Sequence, residues 1–423
     1  MTLKQRAGAG SGQPLLAAAV AAAGLVASAA AMSGMQARTR SRNGVARIVA
    51  AVSRYVAIFA ALFSAQVQGA VSPSERAAAA PEPRAATAPE RRATAPQLTT
   101  AQLVGQHMVF AYDGLEPPRA LRRRIARGEA AGIILFARNV RSAGQVRAVV
   151  RSLQEIGRPR GLRAPLLVMA DQEGGPVRRI AGAPERAAAD VATASEARAD
   201  GRAAARTLRS AGITMNLAPV ADVARPGAAL ERERRIYSRS PVEVSSRATA
   251  FASGLHAGGV RATAKHFPGF GAATVNTDDA PARIDVPLAT LRSVDGAPFA
   301  ALIAGGVDAV MLSTAVYPAL DERPAAFSSR WVGEELRDRM AFRGVTITDD
   351  LGTPAVRSFG SLAQRAVLAV RAGVDVPLFS SSYRSGARAA EGLLAAARRG
   401  DIPRARLREQ ARRVLALRAK LPR

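Results

Sequence analysis

The stretch Lys265-His266-Phe267-Pro268-Gly269-Phe270-Gly271 contains the residues whose types and spacing most clearly indicate chemistry. Only three of the 60 basic residues are lysines, and Lys265 stands beside one of only three histidines. Lysine provides a compact ammonium donor where arginine would provide a planar fork, so this pair predicts a binding or catalytic site. The Pro-Gly-x-Gly that follows favours a sharp turn and a close approach of a ligand to the backbone. Taken alone, the pair could also be an ordinary strand end.

The amino-acid composition argues against several classes of function. Cysteine is absent and the three histidines are scattered, so disulfides, thiolate nucleophiles, metal sites and cofactors are not expected. The net charge of +27 is spread along the chain in arginine pairs, without interleaved aromatic residues, so no nucleic-acid partner is predicted. A charge of this size would still attract anionic polymers of a cell envelope.

The first 98 residues contain two apolar stretches and then a segment of low complexity. Residues 14–32 are almost all Ala, Leu and Val, whereas residues 55–65 follow three arginines and lead into small residues. The second pattern is typical of a secretory signal, so residues 1–70 are predicted to be a signal peptide cleaved near Gly69 or Ala70. An uncleaved membrane anchor, or a translation start downstream of Met1, is the alternative. Residues 71–98 are predicted to be a disordered linker, and the protein to be exported to the cell envelope or the extracellular space.

Between residues 99 and 423, short apolar runs alternate with helical patterns. The eight predicted strands are 107–112, 132–136, 165–170, 214–220, 261–266, 309–313, 345–348 and 374–379. Helices are predicted at 143–156 and 198–211, among others, and a terminal helical pair at 385–419. Eight such units predict an α/β fold, a single (β/α)₈ barrel of the TIM type. No Gly-x-Gly-x-x-Gly follows the first strand, which argues against a dinucleotide-binding sheet.

Polar residues follow the ends of five predicted strands, where a barrel of this type carries its active site. They are Asp171-Gln172-Glu173 after the third strand, Asp222 after the fourth, and Lys265-His266, Ser313-Thr314 and Asp349-Asp350 at the ends of the fifth, sixth and seventh strands. A single carboxylate at a strand end can instead cap the helix that follows. Five polar groups on one rim are harder to explain in this way and predict an active site there.

These motifs resemble those of glycoside hydrolase family 3, in particular its single-domain bacterial β-N-acetylglucosaminidases. The resemblance extends from about residue 103 to residue 350, with a weaker match to residue 417. Its five motifs are Gly132-Ile133-Ile134-Leu135-Phe136-Ala137-Arg138-Asn139, Asp171-Gln172-Glu173-Gly174-Gly175, Asn216-Leu217-Ala218-Pro219-Val220-Ala221-Asp222, the stretch that begins at Lys265, and Tyr317-Pro318-Ala319-Leu320-Asp321.

The resemblance implies a retaining mechanism, in which a carboxylate attacks the anomeric carbon and forms a covalent glycosyl-enzyme. The family nucleophile falls on Asp349, and Asp350 is its local competitor. The positions that hold the non-reducing sugar fall on Asp171, Arg235, Lys265 and His266. These residue types suit the role, because a carboxylate accepts hydrogen bonds from sugar hydroxyls, while cations and imidazole donate them.

The sequence departs from the family pattern at the acid/base. Members of this type usually read Lys-His-Phe-Pro-Gly-His-Gly and carry Asp-Ser-His in the next loop, where the aspartate tunes the catalytic imidazole. Here Phe270 replaces the first histidine, and Asn276-Thr277-Asp278 replaces Asp-Ser-His. His107 and His256 belong to other segments and are not expected to substitute. Asp278, or else the adjacent Asp279, could act as a carboxylic acid/base if its surroundings raise its pKa.

Four functional hypotheses are left open. The preferred one is an exported retaining glycosidase that releases terminal β-linked N-acetylglucosamine, from peptidoglycan fragments, with Asp349 and Asp278 as catalytic residues. Activity could instead be restricted to good leaving groups or to acceptors other than water, or the domain could bind envelope glycans without turnover. A β-glucosidase specificity is less favoured, because such members usually carry a second domain. The expected partner is a carbohydrate and the expected state a monomer, with membrane association only through the N-terminal apolar segment.

Overall fold

The computed structural model describes residues 97–422 and contains all eight predicted strands. We number them β1 (Val109–Phe110), β2 (Gly132–Ile134), β3 (Leu167–Ala170), β4 (Met215–Asn216), β5 (Arg261–Phe267), β6 (Ala309–Leu312), β7 (Val345–Asp350) and β8 (Val376–Leu378). The predicted signal peptide at 1–70, and the predicted linker at 71–98 except for its last two residues, lie outside the described residues.

The eight strands form one parallel sheet in the order of the sequence. Neighbouring strands are hydrogen-bonded to each other; Val345 of β7, for example, pairs with Ala309 of β6. A parallel bridge between Phe110 and Phe379 brings the end of β8 beside β1. The sheet therefore curls into a nearly closed (β/α)₈ barrel, and the predicted fold class is confirmed.

Two strands extend beyond their predicted ends, and both carry residues of the predicted site. β7 was expected at 345–348 but continues to Asp350, because Asp350 still pairs with Leu378 of β8. β5 continues to Phe267, and its register against β6 shifts between Lys265 and Phe267. Asp349 and Lys265 consequently lie within hydrogen-bonded strands, which position side chains more firmly than loops do.

Helices surround the sheet. The longer ones are Arg119–Ala126, Ala143–Gln154, Ala194–Ser210, Pro241–Ala257, Gly296–Ala304, Leu362–Ala372, Tyr383–Arg399 and Arg404–Ala419, with a π-helix at Arg330–Arg339. Shorter helical segments lie at Thr100–Gly105, Ala137–Asn139, Ala188–Asp190, Ala229–Arg232, Leu288–Thr290, Leu291–Asp295, Ala325–Phe327 and Pro354–Phe359. The predicted helices at 143–156 and 198–211 and the predicted terminal pair are thus confirmed with small changes of bounds. Several helices begin at a hydroxyl that caps the first turn, as Thr193 caps the backbone N–H of Glu196.

Two apolar clusters lie on the two sides of the barrel wall. Alternate strand residues, such as Met169 and Met311, fill the interior, while the larger cluster packs between sheet and helices. Val414 and Leu417 of the C-terminal helix belong to the interior cluster, and Arg413 of the same helix pairs with Asp375, just before β8 (Nη2–Oδ1 2.9 Å). The C-terminal helix therefore covers the end of the barrel at which the strands begin.

Two antiparallel hairpins follow strand ends. The first joins Gln172–Gly174 to Val177–Arg178 after β3, and the second joins Val316–Tyr317 to Asp321–Pro324 after β6. Within residues 97–422, no helix is both long and apolar enough to span a membrane.

Candidate active site

A cavity of about 370 Å³ lies at the end of the barrel where the strands stop. All six residues predicted to act on substrate line it: Asp171, Arg235, Lys265, His266, Asp278 and Asp349. They come from strands and strand ends (β3, β5 and β7) and from the loops on either side of β5. The structure thus brings the predicted residues together, while their individual roles stay predictions.

Lys265 of β5 is buried and bonds two carboxylates. Its Nζ lies 2.7 Å from Oδ1 of Asp171 and 2.7 Å from Oε1 of Glu173. Burial alone would lower the pKa of Lys265, but the two carboxylates raise it above its ordinary value. The lysine therefore stays charged, and its position is fixed by two hydrogen bonds.

Glu173 also binds Arg235, in a bidentate pair with Nε–Oε2 and Nη2–Oε1 distances of 2.9 and 2.8 Å. Burial alone would raise the pKa of Glu173, but Arg235 and Lys265 bring it far below the ordinary carboxyl range. The sequence placed Glu173 on the rim beside Asp171 but assigned it no role in the site. A signal for it existed, because Asp171 and Glu173 are two positions apart in an extended segment and such residues share a face.

His266 is oriented by Asp222, a fully buried residue after β4. Its Nδ1 lies 2.8 Å from Oδ2 of Asp222, and Oδ1 of Asp222 accepts the backbone N–H groups of His266 and Phe270 at 3.2 and 2.6 Å. Asp222 therefore fixes the imidazole and the turn after it, and leaves Nε2 of His266 available to a ligand. The sequence placed Asp222 on the rim but did not assign it this function.

The other two histidines lie at the opposite end of the barrel. Nδ1 of His107 lies 2.7 Å from the carbonyl oxygen of Asp375, which precedes β8. Nε2 of His256 lies 2.7 Å from Oδ2 of Asp308, which precedes β6. Neither histidine lines the cavity.

Asp349 and Asp350 both line the cavity, but their carboxylates are bonded differently. Oδ1 of Asp350 accepts the backbone N–H of Gly352 at 2.7 Å and that of Ser380 at 3.1 Å, and Oδ2 accepts the Ser380 hydroxyl. Asp349 accepts one hydrogen bond from the described residues, from the N–H of Asp350 at 2.9 Å. Asp349 is therefore the carboxylate with lone pairs left for a ligand, whereas Asp350 braces the ends of β7 and β8.

The loop 276–279 is tied to the sugar-binding arginine predicted from the sequence. Nδ2 of Asn276 donates to Oε1 of Glu233 at 3.0 Å, and Oε2 of the same glutamate accepts from Nη1 of Arg235 at 3.1 Å. Oδ1 of Asn276 in turn accepts the backbone N–H of Asp278 at 3.1 Å. Asn276, which stands where the family usually has aspartate, thus acts here as a link between the Asp278 loop and Arg235.

Asp278 is accessible to solvent at the rim of the cavity, yet its pKa is raised to about 6. Partial burial by the surrounding protein is the main cause, and the negative charges of Asp349 and Asp350 add to it. A bound substrate that displaces water would strengthen both effects. Asp278 is therefore a carboxyl group that can hold a proton at mildly acidic pH.

The cavity combines these polar groups with apolar side chains. Phe136, Phe270 and Met311 line it, and the Phe270 ring meets the His266 ring edge to face at 5.9 Å. Among residues 97–422, no group of three or more His, Asp or Glu side chains is arranged to hold a metal ion. The arrangement suits a neutral polyhydroxylated ligand, with donors and acceptors for hydroxyls, apolar contacts for ring faces, and two carboxyl groups for chemistry.

Comparison with protein families gives a match over most of the chain. The profile of the glycosyl hydrolase family 3 N-terminal domain matches residues 95–417. A similar curated protein is an uncharacterised secreted glycosyl hydrolase of Arthroderma benhamiae, 37% identical over 328 residues, or 75% of this chain and 92% of the relative. A beta-hexosaminidase of Xylella fastidiosa is 40% identical over 260 residues, or 59% of this chain and 75% of the relative.

Two solved structures of β-N-acetylhexosamine-cleaving enzymes share the fold. A family 3 β-N-acetylglucosaminidase from a Paenibacillus species superposes with a TM-score of 0.70 at 34% identity, over 77% of this chain and 63% of the other. A β-N-acetylhexosaminidase from Beutenbergia cavernae gives a TM-score of 0.69 at 33% identity, over 76% of this chain and 99% of the other.

Proposed function

Because the chain belongs to glycosyl hydrolase family 3, we propose that it is a retaining glycosidase that releases terminal β-linked N-acetylglucosamine. The observation that carries the proposal is one cavity that contains both a carboxylate with free lone pairs, Asp349, and a carboxyl with a raised pKa, Asp278. A retaining mechanism needs this pair of properties, a charged nucleophile and a second carboxyl that carries a proton. The sugar preference is supported by the names of the relatives, β-hexosaminidases and β-N-acetylglucosaminidases.

In the first step, Asp349 attacks the anomeric carbon and forms a glycosyl-aspartate, while Asp278 gives its proton to the departing oxygen. In the second step, the ionised Asp278 takes a proton from water, which attacks the same carbon and releases Asp349. Asp350 is a poorer nucleophile, because three hydrogen bonds from Gly352 and Ser380 already occupy its oxygens. Asp278 replaces the imidazole of the usual family pattern, since no histidine lies in its loop.

The bound sugar would be held by the charged cluster at the base of the cavity. Asp171 and the Nε2 of His266 offer an acceptor and an imidazole nitrogen to the hydroxyls, while Lys265 and Arg235 are fixed in place by Glu173. A pre-positioned cluster loses little side-chain entropy on binding, so more of the contact energy is available for orienting the reacting carbon.

We further propose that the enzyme is exported and acts on peptidoglycan-derived fragments. The predicted signal peptide at 1–70 and the secreted relative from Arthroderma benhamiae support export. Fragments with a terminal N-acetylglucosamine are the substrates that an exported enzyme of this specificity would meet at a bacterial envelope.

Hydrolysis of an aryl β-N-acetylglucosaminide, compared with an aryl β-glucoside, tests the proposal. We expect the first substrate to be cleaved with a much higher kcat/KM, and proton NMR of the initial product to show the β-anomer, as retention requires. Preference for the glucoside, or an initial α-anomer, would contradict it. If neither substrate is cleaved but an N-acetylglucosamine oligomer binds, the domain is a glycan-binding protein instead.

A further inference from the structure

A second groove lies at the opposite end of the barrel from the candidate active site. It has a volume of about 850 Å³ and is bounded by residues that precede β3 and β4, by the helices Ala143–Gln154 and Ala194–Ser210, and by the C-terminal residues from Ala419 to Pro422. Four arginines line it: Arg147, Arg158, Arg163 and Arg209. Val150 and Ile213 supply apolar surface between them.

The charge of this groove is not compensated by the described protein. No aspartate or glutamate lines it, and none of the four arginines forms an ion pair with a carboxylate of residues 97–422. Other partly buried arginines do have such partners; Arg225, for example, binds both oxygens of Asp295 at 2.6 Å. The candidate active site differs as well, since carboxylates outnumber cations along its wall.

Two arginines show that the positive charge extends beneath the surface. Arg158 is half-buried: its Nη1 donates to the carbonyls of Gln154 and Ile156 at 3.2 and 3.3 Å, and its Nη2 donates to the carbonyl of Arg163 at 3.4 Å. Its Nε is buried with no hydrogen-bond partner in the described protein. Behind it, the fully buried Arg418 donates to the carbonyls of Pro165 and Ala164 at 3.0 and 2.7 Å and has no carboxylate partner among residues 97–422. Burial, with a further contribution from the charge of Arg158, lowers the pKa of Arg418 to about 10.

We propose that this groove is a binding site for a phosphate-bearing anion, separate from the candidate active site. Guanidinium forks match the oxygens of phosphate in paired hydrogen bonds, and several converging arginines suit a ligand with more than one negative charge. The groove is larger than the candidate active-site cavity, so it has room for a phosphorylated sugar or for successive phosphates of a polymer. Both sources share the phosphate group that the arginines recognise.

The position of the groove allows a ligand there and a substrate in the other cavity at the same time. The groove borders residues before β3 and β4, whereas the candidate active site is built at the ends where strands stop. Binding of an anionic polymer at this end would hold the protein on that polymer with the other cavity open. The proposal therefore does not depend on which sugar the candidate active site accepts.

Calorimetric titration of the exported protein at low salt tests the proposal, with pyrophosphate as the small probe and a glycerol-phosphate tetramer as the phosphodiester probe. The test variant is the double substitution Arg147→Gln and Arg163→Gln, because both side chains are exposed and neither donates a hydrogen bond within the described protein. The matched control is Arg202→Gln with Arg388→Gln, two exposed arginines outside the groove, which removes the same charge. Tighter binding of the tetramer than of pyrophosphate would identify a polymer as the source, and the reverse order a small phosphorylated molecule.

We expect wild-type protein and control to bind alike, and the groove variant to bind about tenfold more weakly or worse, since each lost charged hydrogen bond has a cost of that order. Turnover of an aryl glycoside should be the same in all three proteins. If the groove variant and the control lose equal affinity for the probes, binding is a general attraction to the +27 charge, and the proposal is overturned. If the wild-type protein binds neither probe, the proposal is overturned as well.

Discussion

Replacement of Asp278 by asparagine is the sharpest test of the proposed acid/base. The substitution keeps the size of the side chain but removes its ability to give and take a proton. A hydroxyl leaving group, as in a natural disaccharide, needs that proton as the glycosidic bond breaks, whereas an activated aryl leaving group needs little help. The two substrates should therefore respond differently to the same change.

The magnitude follows from the raised pKa of about 6. Only the protonated form of Asp278 can act as the acid, so the raised pKa extends activity upward from the ordinary aspartate range near pH 4. For the wild-type protein, the protonated fraction falls from about 90% at pH 5 to about 1% at pH 8, and kcat/KM for a disaccharide should fall by about two orders of magnitude with it. Partial burial is the main cause of the shift, followed by the charges of Asp349 and Asp350.

In the Asp278→Asn variant, kcat/KM for the disaccharide at pH 5 should drop by about 10²- to 10⁴-fold, the usual contribution of general acid catalysis. For an aryl glycoside with a strongly acidic phenol, the drop should stay within about tenfold, and the basic limb of the disaccharide pH profile should disappear. The ratio kcat/KM is the relevant quantity, because it reports only the steps up to formation of the glycosyl-enzyme. Azide, a nucleophile that needs no base, should then restore turnover of the aryl glycoside and yield a glycosyl azide.

Asp279→Asn is the matched control, because Asp279 is the adjacent carboxylate but does not line the cavity. It should leave both substrates and the pH profile nearly unchanged. The reasoning is refuted if Asp278→Asn slows both substrates equally, or if the basic limb survives in that variant. A loss of activity confined to the Asp279→Asn variant would identify Asp279 as the acid/base instead.

Three further predictions concern the nucleophile, the buried cluster and export. Asp349→Ala should lower kcat by about 10⁴-fold or more, and a fluorinated glycoside should label Asp349 in mass spectrometry; a label on Asp350 would show that the other carboxylate attacks. Glu173→Gln should lower the free energy of unfolding by about 3 kcal/mol, because Arg235 would keep a buried charge with a weaker partner. Glu322→Gln, which breaks an exposed pair with Arg283, should change the free energy of unfolding far less in the same denaturation assay. The ion pairs of Glu173 lower its pKa in the folded protein, so they stabilise the fold fully only above the ordinary glutamate pKa of about 4.3. The difference in unfolding free energy between wild type and Glu173→Gln should therefore shrink as pH falls below that value. Intact-mass analysis of exported protein should show removal of the first 65 to 70 residues, and a mature N-terminus before Tyr55 would contradict this.

The sequence alone predicted the barrel and the rim on which the site lies. Apolar runs of strand length that alternate with helical patterns are a local property, so eight strands could be counted without knowledge of their neighbours. The rule that chemistry lies at strand C-termini placed Asp171, Lys265, His266 and Asp349 on one rim among other polar residues. The resemblance to glycoside hydrolase family 3 then assigned roles to these four. The ends of the strands were less predictable, because β7 ends where its pairing with β8 ends and not where its apolar run ends.

Only the tertiary structure decided which of these groups interact. Glu173 and Arg235 are 62 residues apart, and their bidentate pair exists because the hairpin after β3 and the loop after β4 meet above one barrel. The sequence left Asp349 and Asp350 as competing nucleophiles, because only the fold shows that Ser380 bonds Asp350. The raised pKa of Asp278 and the uncompensated arginines of the second groove also depend on the fold. Folding sets the partial burial that is the main cause of the Asp278 shift, and it sets the distances between charges that are remote in sequence.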